Sequence, residues 1–304
     1  MTATLPSWND TAARRAVIDF VGRVTDESGP DYVPQIERIA VFDNDGTLWC
    51  EQPMPVQLAG ALAMLAVMAE RDPALREQQP YKAAFEKDMA WFGQFVTNEK
   101  LPQLIGILLQ AGAGETQSQF EDRARAWFAE ARHPKLGTAY TQVIYRPMVE
   151  LLDYLRENGF KVFLCSGGGM DFMRLVAEDI YDVPREYVIG SNMKLSWEQR
   201  DGQPVLVRQA GIVEPFNDGP GKPINIQLHI GRPPILVGGN SDGDVAMMEF
   251  ASASSKPYLN LLVHHDDAER EYTYDKSAEK AQAAAGERGW TVVSMKNDWQ
   301  TIFG

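Results

Sequence analysis

The chain has 304 residues, 44% hydrophobic and 23% charged, with a formal net charge of −13. That length allows a sizeable core, as one large or two modest domains, and the acidity argues against general nucleic-acid binding, which needs a basic face. No apolar run reaches membrane-spanning length, the opening MTATLPSWNDTAARR lacks the regions of a secretory signal, and Cys50 and Cys165 make no disulfide framework, so a cytoplasmic protein without a membrane partner is expected.

Asn9 or Asp10 can cap a first helix in which Val17, Phe20, Val21 and Val24 follow helical spacing. Ile39 to Phe42 is a short apolar run suited to a buried parallel strand, and it ends in Asp43-Asn44-Asp45-Gly46-Thr47. In an extended segment residues i and i+2 share a face, so Asp43 and Asp45 can point into one crevice. Two carboxylates there are costly unless something cationic neutralises them. An Asp-rich turn that merely closes the strand is the plainer alternative.

From Gln57 to about Arg132 the pattern is helical. Leu58, Leu62, Leu65 and Met68 form one stripe, Phe85, Met89, Phe92 and Val96 a second, and Leu104, Ile107 and Leu108 a third. Breaks fall at Arg71-Asp72-Pro73, Gln79-Pro80, Leu101-Pro102 and Ala111 to Glu115. Helices inserted between one strand and the next read as a separate cap.

Pro147 suits the first turn of a helix with Met148, Leu151, Leu152 and Leu155 on its buried face, ended by Gly159. Phe160 to Cys165 is the next strand. It runs into Ser166-Gly167-Gly168-Gly169, followed by a helix through Phe172, Leu175 and Val176. Free backbone N–H groups at such a turn suit an anion such as phosphate, although close packing also explains the glycines. Tyr187 to Ile189 is a third strand, and Met193 to Arg208 a hairpin turning at Asp201-Gly202. Glu214 to Pro223 is a polar loop carrying Lys222. A fourth strand, ILVGG, ends in Asn240-Ser241-Asp242-Gly243-Asp244, and a fifth, from Leu259, ends in His264 and His265. The tail adds a helix near Lys276 to Ala285 and an edge strand at Trp290 to Met295.

Four strand ends therefore carry polar residues: two carboxylates, a Ser-Gly loop, a lysine loop and a second acidic loop. Together they are the set that phosphoryl transfer through an aspartyl phosphate requires. A carboxylate attacks phosphorus, a second carboxylate protonates the leaving alcohol and later activates water, and Mg²⁺ shares oxygen ligands with the phosphate. A lysine and backbone amides offset charge on the remaining phosphate oxygens.

In these four motifs the sequence resembles the haloacid dehalogenase superfamily of phosphohydrolases, over roughly residues 35–50 and 145–265. The resemblance implies an α/β fold with a Rossmann-like parallel-sheet core, residues 1–50 and 140–304, and an inserted helical cap, residues 51–139. It implies that Asp43 is the nucleophile and a Mg²⁺ ligand, and that Asp45 is the acid/base and binds Mg²⁺ through its carbonyl. Ser166, with the Gly167 and Gly168 amides, would hold a phosphate oxygen, as would the Thr47 hydroxyl. Lys222 would bridge phosphate and nucleophile. Asn240 and Asp244 would complete the metal site. Here the sequence departs from the family pattern, Gly-Asp-x-x-x-Asp, because Asn240 takes the first acidic position; an amide oxygen can still ligate Mg²⁺, and Asp242 is the alternative ligand.

The second motif, the helical insert and the hairpin look most like the phosphoserine phosphatase branch, where a glutamate after the first motif contacts the substrate amine. Glu51 is offset by one from that place. Trp49 and Glu51 also suit a cationic alcohol such as choline, and equally suit core packing beside a surface acid. Asp45 disfavours dehalogenase chemistry. His264 and His265 suit substrate contact or a satisfied strand-end pair, and no zinc set appears at familiar spacing. The expectation is a Mg²⁺-dependent phosphomonoesterase of small metabolites. The alternatives are a phosphotransferase or mutase using the same intermediate, and a non-enzymatic phosphate-ligand binding protein.

Overall fold

The structure is a computed structural model that describes residues 4–95 and 100–304. Helix α1 (Ala12–Thr25) buries Val17, Phe20, Val21 and Val24, as their spacing predicts. Its N-cap is Thr11 rather than Asn9 or Asp10: Asp10 pairs with Arg14 and Arg15, and Asn9 donates to the Asn297 carbonyl. Strand β1 (Ile39–Phe42) is buried at every position. Among the described residues the helices that follow are α2 (Val56–Arg71), α3 (Tyr81–Glu86), α4 (Met89–Gly93), α5 (Leu101–Ala111) and α6 (Gln117–Glu130). The expected stripe from Phe85 onward does not form. Lys87 takes a left-handed conformation (φ +56°) that ends α3, so Phe85 and Met89 are exposed and only Phe92 is buried; Val96 lies outside the described residues.

Helix α7 (Arg146–Glu157) buries Met148, Leu151, Leu152 and Leu155 and is followed by Gly159 at φ +77°. Strand β2 (Lys161–Gly169) continues through the glycines, so Ser166 to Gly169 are extended rather than a tight turn into a helix. The helix expected next is two short pieces, α8 (Met170–Met173) and α9 (Ala177–Tyr181), because Val176 leaves helical geometry. The third strand and the first arm of the hairpin are one long strand, β3 (Val188–Arg200), which turns at Asp201 and Gly202, both at positive φ, into β4 (Gln203–Val213). Lys222 sits in the first turn of α10 (Gly221–Ile230), not in a loop. The chain ends with β5 (Leu236–Gly239), α11 (Val245–Ser252), β6 (Leu259–His264), α12 (Glu279–Arg288), β7 (Thr291–Ser294) and α13 (Met295–Asp298).

The sheet order is β4-β3-β2-β1-β5-β6-β7, parallel except for β4. From the central β1 the chain steps outward to β2 and β3, then returns to β5 on the other side. Ligands of open parallel sheets bind where the order reverses, at the carboxyl ends of the strands. Here that is the end of β1 and β5. Val41, Cys165, Ile189 and Val237 of the strands pack with Ile226 of α10 and Met247 and Met248 of α11, which fixes where those strand ends stand.

The chain divides into two compact units. The first, residues 1–53, 132–191 and 215–304, holds the parallel strands. The second, residues 54–131 and 192–214, joins α2–α6 to the hairpin. Its interior is Leu62, Leu65, Ala83, Ala84, Phe92 and Leu104. Arg208 of β4 ties hairpin to helices inside this unit, donating to Gln117 at 2.7 Å and lying over the Phe120 ring. Among the described residues no helix is long and apolar enough to cross a membrane.

Candidate active site

Asp43 is the first residue beyond β1, and its N–H donates to the Gly238 carbonyl of β5 at 2.9 Å. That bond pins the backbone and leaves the buried carboxylate in the crevice. Lys222 Nζ donates to Asp43 Oδ1 at 2.6 Å, to Asp244 Oδ1 at 2.7 Å and to the Cys165 carbonyl at 2.9 Å. An ammonium has three donors, and all three are spent. Burial, and then the charge of Asp244, push the Asp43 carboxyl well above its usual range, while Lys222 pulls it back. Burial alone would lower Lys222, but Asp244 and Asp43 overrule it and raise it.

Asp244 uses its second oxygen differently. Oδ2 accepts from the Asn240 and Ser241 amides at 2.9 and 3.0 Å and from the Ser241 hydroxyl, closing the loop after β5. The loop can close this tightly because residue 239 has no side chain; a Cβ there would stand 2.6 Å from the Asp244 Cβ. Asn240 Oδ1 accepts from Thr47 Oγ1 at 3.1 Å, and the same hydroxyl lies 3.5 Å from Asp43 Oδ2. Gly46, at φ +75°, lets the first loop pass Asn240, whose Nδ2 would be 2.1 Å from any Cβ.

Asp45 is held by Trp49, whose buried indole Nε1 donates to Asp45 Oδ1 at 2.7 Å. Ser166 is fully buried, and its hydroxyl accepts from the Gly168 amide at 3.1 Å. Gly167 gives its carbonyl to the Ser191 hydroxyl. Glu51 Oε1 accepts from Asn240 Nδ2 at 3.2 Å and from the Tyr274 hydroxyl at 2.7 Å. Asp43, Thr47, Glu51, Lys222, Asn240 and Asp244 are thus one connected set, with Asp45 in the same loop and Ser166 directly after the carbonyl that Lys222 touches.

The sequence profile of the haloacid dehalogenase-like hydrolases matches residues 40–249, which include every one of these residues except Tyr274. The chain belongs to the haloacid dehalogenase-like hydrolase family. No curated protein matches it significantly. Among solved structures, a functionally unknown protein from Anaerococcus prevotii is 16% identical, with a TM-score of 0.60 over 99% of this chain and 98% of that one. A protein of unknown function from Bordetella pertussis is also 16% identical, with a TM-score of 0.53 over 84% of this chain and 98% of that one. Both likenesses are of fold.

This haloacid dehalogenase-like hydrolase also places residues whose partners sequence reasoning missed. Asn217 is fully buried and donates to the Ser166 carbonyl at 2.8 Å while accepting from Asn225, so it splints the end of β2. The signal was an asparagine in the loop just before the lysine. His265 is buried and bonds the Gly46 carbonyl through Nε2 at 2.8 Å and Glu271 through Nδ1 at 3.3 Å, whereas His264 faces Asp275 at the surface. Asp242, the alternative ligand, turns its Oδ1 to the Lys280 and Ala281 amides at the start of α12.

The donor set fits a hard divalent cation. Two carboxylates, those of Asp43 and Asp244, share the single ammonium of Lys222, and burial, then the charge of Asp244, raise the Asp43 carboxyl. Among the described residues no three His, Cys, Asp or Glu side chains form a ready-made metal cage. Mg²⁺ does not need one, since it binds through one or two carboxylates, other oxygens, waters and substrate phosphate. Asp43, the Asp45 carbonyl and Asn240 Oδ1 are donors of that kind.

Proposed function

We propose that this chain is a Mg²⁺-dependent phosphomonoesterase of small phosphorylated metabolites that works through a phosphorylated Asp43. One observation carries the reading: Asp43, at the reversal point of the sheet, shares Lys222 with Asp244, while Asp45 two residues on is separately oriented by Trp49. Two carboxylates in one loop with different partners suit two different roles.

In this reading Lys222 favours the ionised form of Asp43 against burial, and Oδ2, the oxygen that Lys222 does not occupy, attacks phosphorus. The ester P–O bond breaks as the Asp43–phosphorus bond forms, and Asp45 gives its proton to the departing alkoxide. Asp45 then takes a proton from water, whose oxygen displaces Asp43 and releases inorganic phosphate. The Ser166 hydroxyl, the Thr47 hydroxyl and the Gly167 amide hold the phosphate oxygens, and the Gly168 amide orients Ser166. Lys222, spent on Asp43, Asp244 and the Cys165 carbonyl, offsets the charge beside them. Asp43, the Asp45 carbonyl and Asn240, with Asp244 beside them, would hold Mg²⁺, which would supply the remaining positive charge. The unit of residues 54–131 and 192–214 is, in this reading, the cap that selects the alcohol. A cytoplasmic setting belongs to the same reading, with Cys50 and Cys165 both free and buried.

The test is phosphate release from a panel of phosphomonoesters, including phosphoserine, phosphocholine, sugar phosphates, nucleotides and an aryl phosphate, with and without Mg²⁺. Mg²⁺-dependent release, abolished in Asp43→Asn, is the expected result. Undiminished release by a folded Asp43→Asn protein would sink the mechanism. Transfer of labelled phosphate to an added alcohol in preference to water would make the chain a phosphotransferase.

A further inference from the structure

Asparagine at position 240 and glutamate at position 51 are neighbours in one hydrogen-bonded chain. The Asn240 amide has a donor end and an acceptor end, and each is engaged: Nδ2 donates to Glu51 Oε1 at 3.2 Å, and Oδ1 accepts from Thr47 at 3.1 Å on the Asp43 side. Glu51 is itself held by the Tyr274 hydroxyl at 2.7 Å. The Tyr274 ring stacks on His265 with centroids 4.2 Å apart, and His265 bonds the Gly46 carbonyl. The carboxylate therefore approaches from behind the first loop, so close that a Cβ on Gly46 would lie 2.6 Å from Glu51 Oε1.

A carboxylate at position 240 would set two acceptors against each other at this distance with no donor between them. An amide at 240 and an acid at 51 avoid the conflict and keep one negative charge in the pair. We infer that Glu51 is a positioning residue for the metal: it holds the Asn240 amide with its oxygen toward Asp43 and supplies the charge that Asn240 lacks. This rests on the Mg²⁺ reading given above. It also assigns Glu51 to the protein's own loop, in place of a contact with the substrate's cationic group.

The experiment is calorimetric titration of Mg²⁺ into the wild type, Glu51→Gln, Asn240→Asp, the exchange double variant Glu51→Gln/Asn240→Asp, and Tyr274→Phe, with melting temperatures measured alongside. Glu51→Gln should bind Mg²⁺ about tenfold more weakly, the loss usual for a residue behind a metal ligand, and need correspondingly more Mg²⁺ for half-maximal phosphate release. Tyr274→Phe, which removes one hydroxyl, should weaken binding in the same direction by a smaller factor. Asn240→Asp should melt lower than wild type without Mg²⁺. The double variant should recover both melting temperature and affinity, since the amide introduced at position 51 can donate to the carboxylate introduced at position 240. Wild-type affinity in Glu51→Gln, or strictly additive effects in the double variant, would overturn the inference and leave the phosphatase reading standing. A wild type that takes up no Mg²⁺ would overturn both.

Discussion

The indole N–H of Trp49 donates to the carboxylate of Asp45 across 2.7 Å, four residues along the same loop. Trp49 is 1% exposed, so the donor is fixed by packing and the carboxylate inherits that orientation. In the proposed mechanism Asp45 is the proton donor, and aiming it before the substrate arrives would supply part of the acid–base contribution to catalysis.

Trp49→Phe removes that hydrogen bond and keeps an aromatic ring in the site. Turnover should fall by about tenfold for alkyl phosphates, a fraction of what general acid catalysis supplies. The loss should be smaller for an aryl phosphate, whose leaving group needs the proton less. Equal losses for both ester types would assign Trp49 to packing alone.

Lys222→Met should be strongly destabilising. The lysine is 2% exposed and stands between Asp43 and Asp244, so its removal leaves two buried carboxylates facing one another. Breaking a buried ion pair from one side costs about 3–5 kcal/mol. Urea denaturation should record that loss, and added Mg²⁺ should return part of it. A variant as stable as wild type without metal would mean the carboxylates are compensated elsewhere.

Glu271 gives a pH signature. Burial alone would raise its carboxyl, but bonds from His265 and Cys50 and from the Tyr272 amide overrule it and hold it below the ordinary glutamate value of about 4.5. The folded state then binds fewer protons than the unfolded one, so the contribution is present above the unfolded value and is lost as pH falls through the folded one. Glu271→Gln should melt lower than wild type at neutral pH, with the gap closing on acidification below about 4.5. A gap that widens toward acid would reverse the sign.

Asp242 and Asp244 should separate cleanly. Asp242→Ala removes the acceptor for two amides at the start of α12 and should cost about 1 kcal/mol, the usual value of a helix cap. Its Mg²⁺ affinity should stay at the wild-type level. Asp244→Ala should lose activity, because it frees Lys222 and opens the loop that carries Asn240. Loss of metal binding in Asp242→Ala would put that carboxylate in the metal site.

The sequence alone determined the parallel core and the placing of its polar loops. Ile39–Phe42 and the ILVGG run are apolar on both faces, and such strands belong inside a sheet covered by helices. Local spacing also placed Asp43 and Asp45 in one loop, and Asp201-Gly202 in a turn, because these depend on backbone geometry within a few residues. Where local rules reached further they misled. The stripe from Phe85 onward was interrupted by one residue, Lys87, entering the left-handed region, and the glycines after Ser166 prolonged a strand instead of forming a turn before a helix.

What only the tertiary structure decided is the partner of each polar side chain. Glu51 faces Asn240 across 189 residues of sequence, Lys222 faces Asp43 across 179, and His265 reaches the Gly46 carbonyl across 219. Asp242 and Asp244 are two residues apart and alike in type, yet one caps a helix and the other holds the lysine. A carboxylate's role is set by which donors packing brings within about 3 Å of it, and those donors come from strands and helices that meet only when the sheet closes over its core.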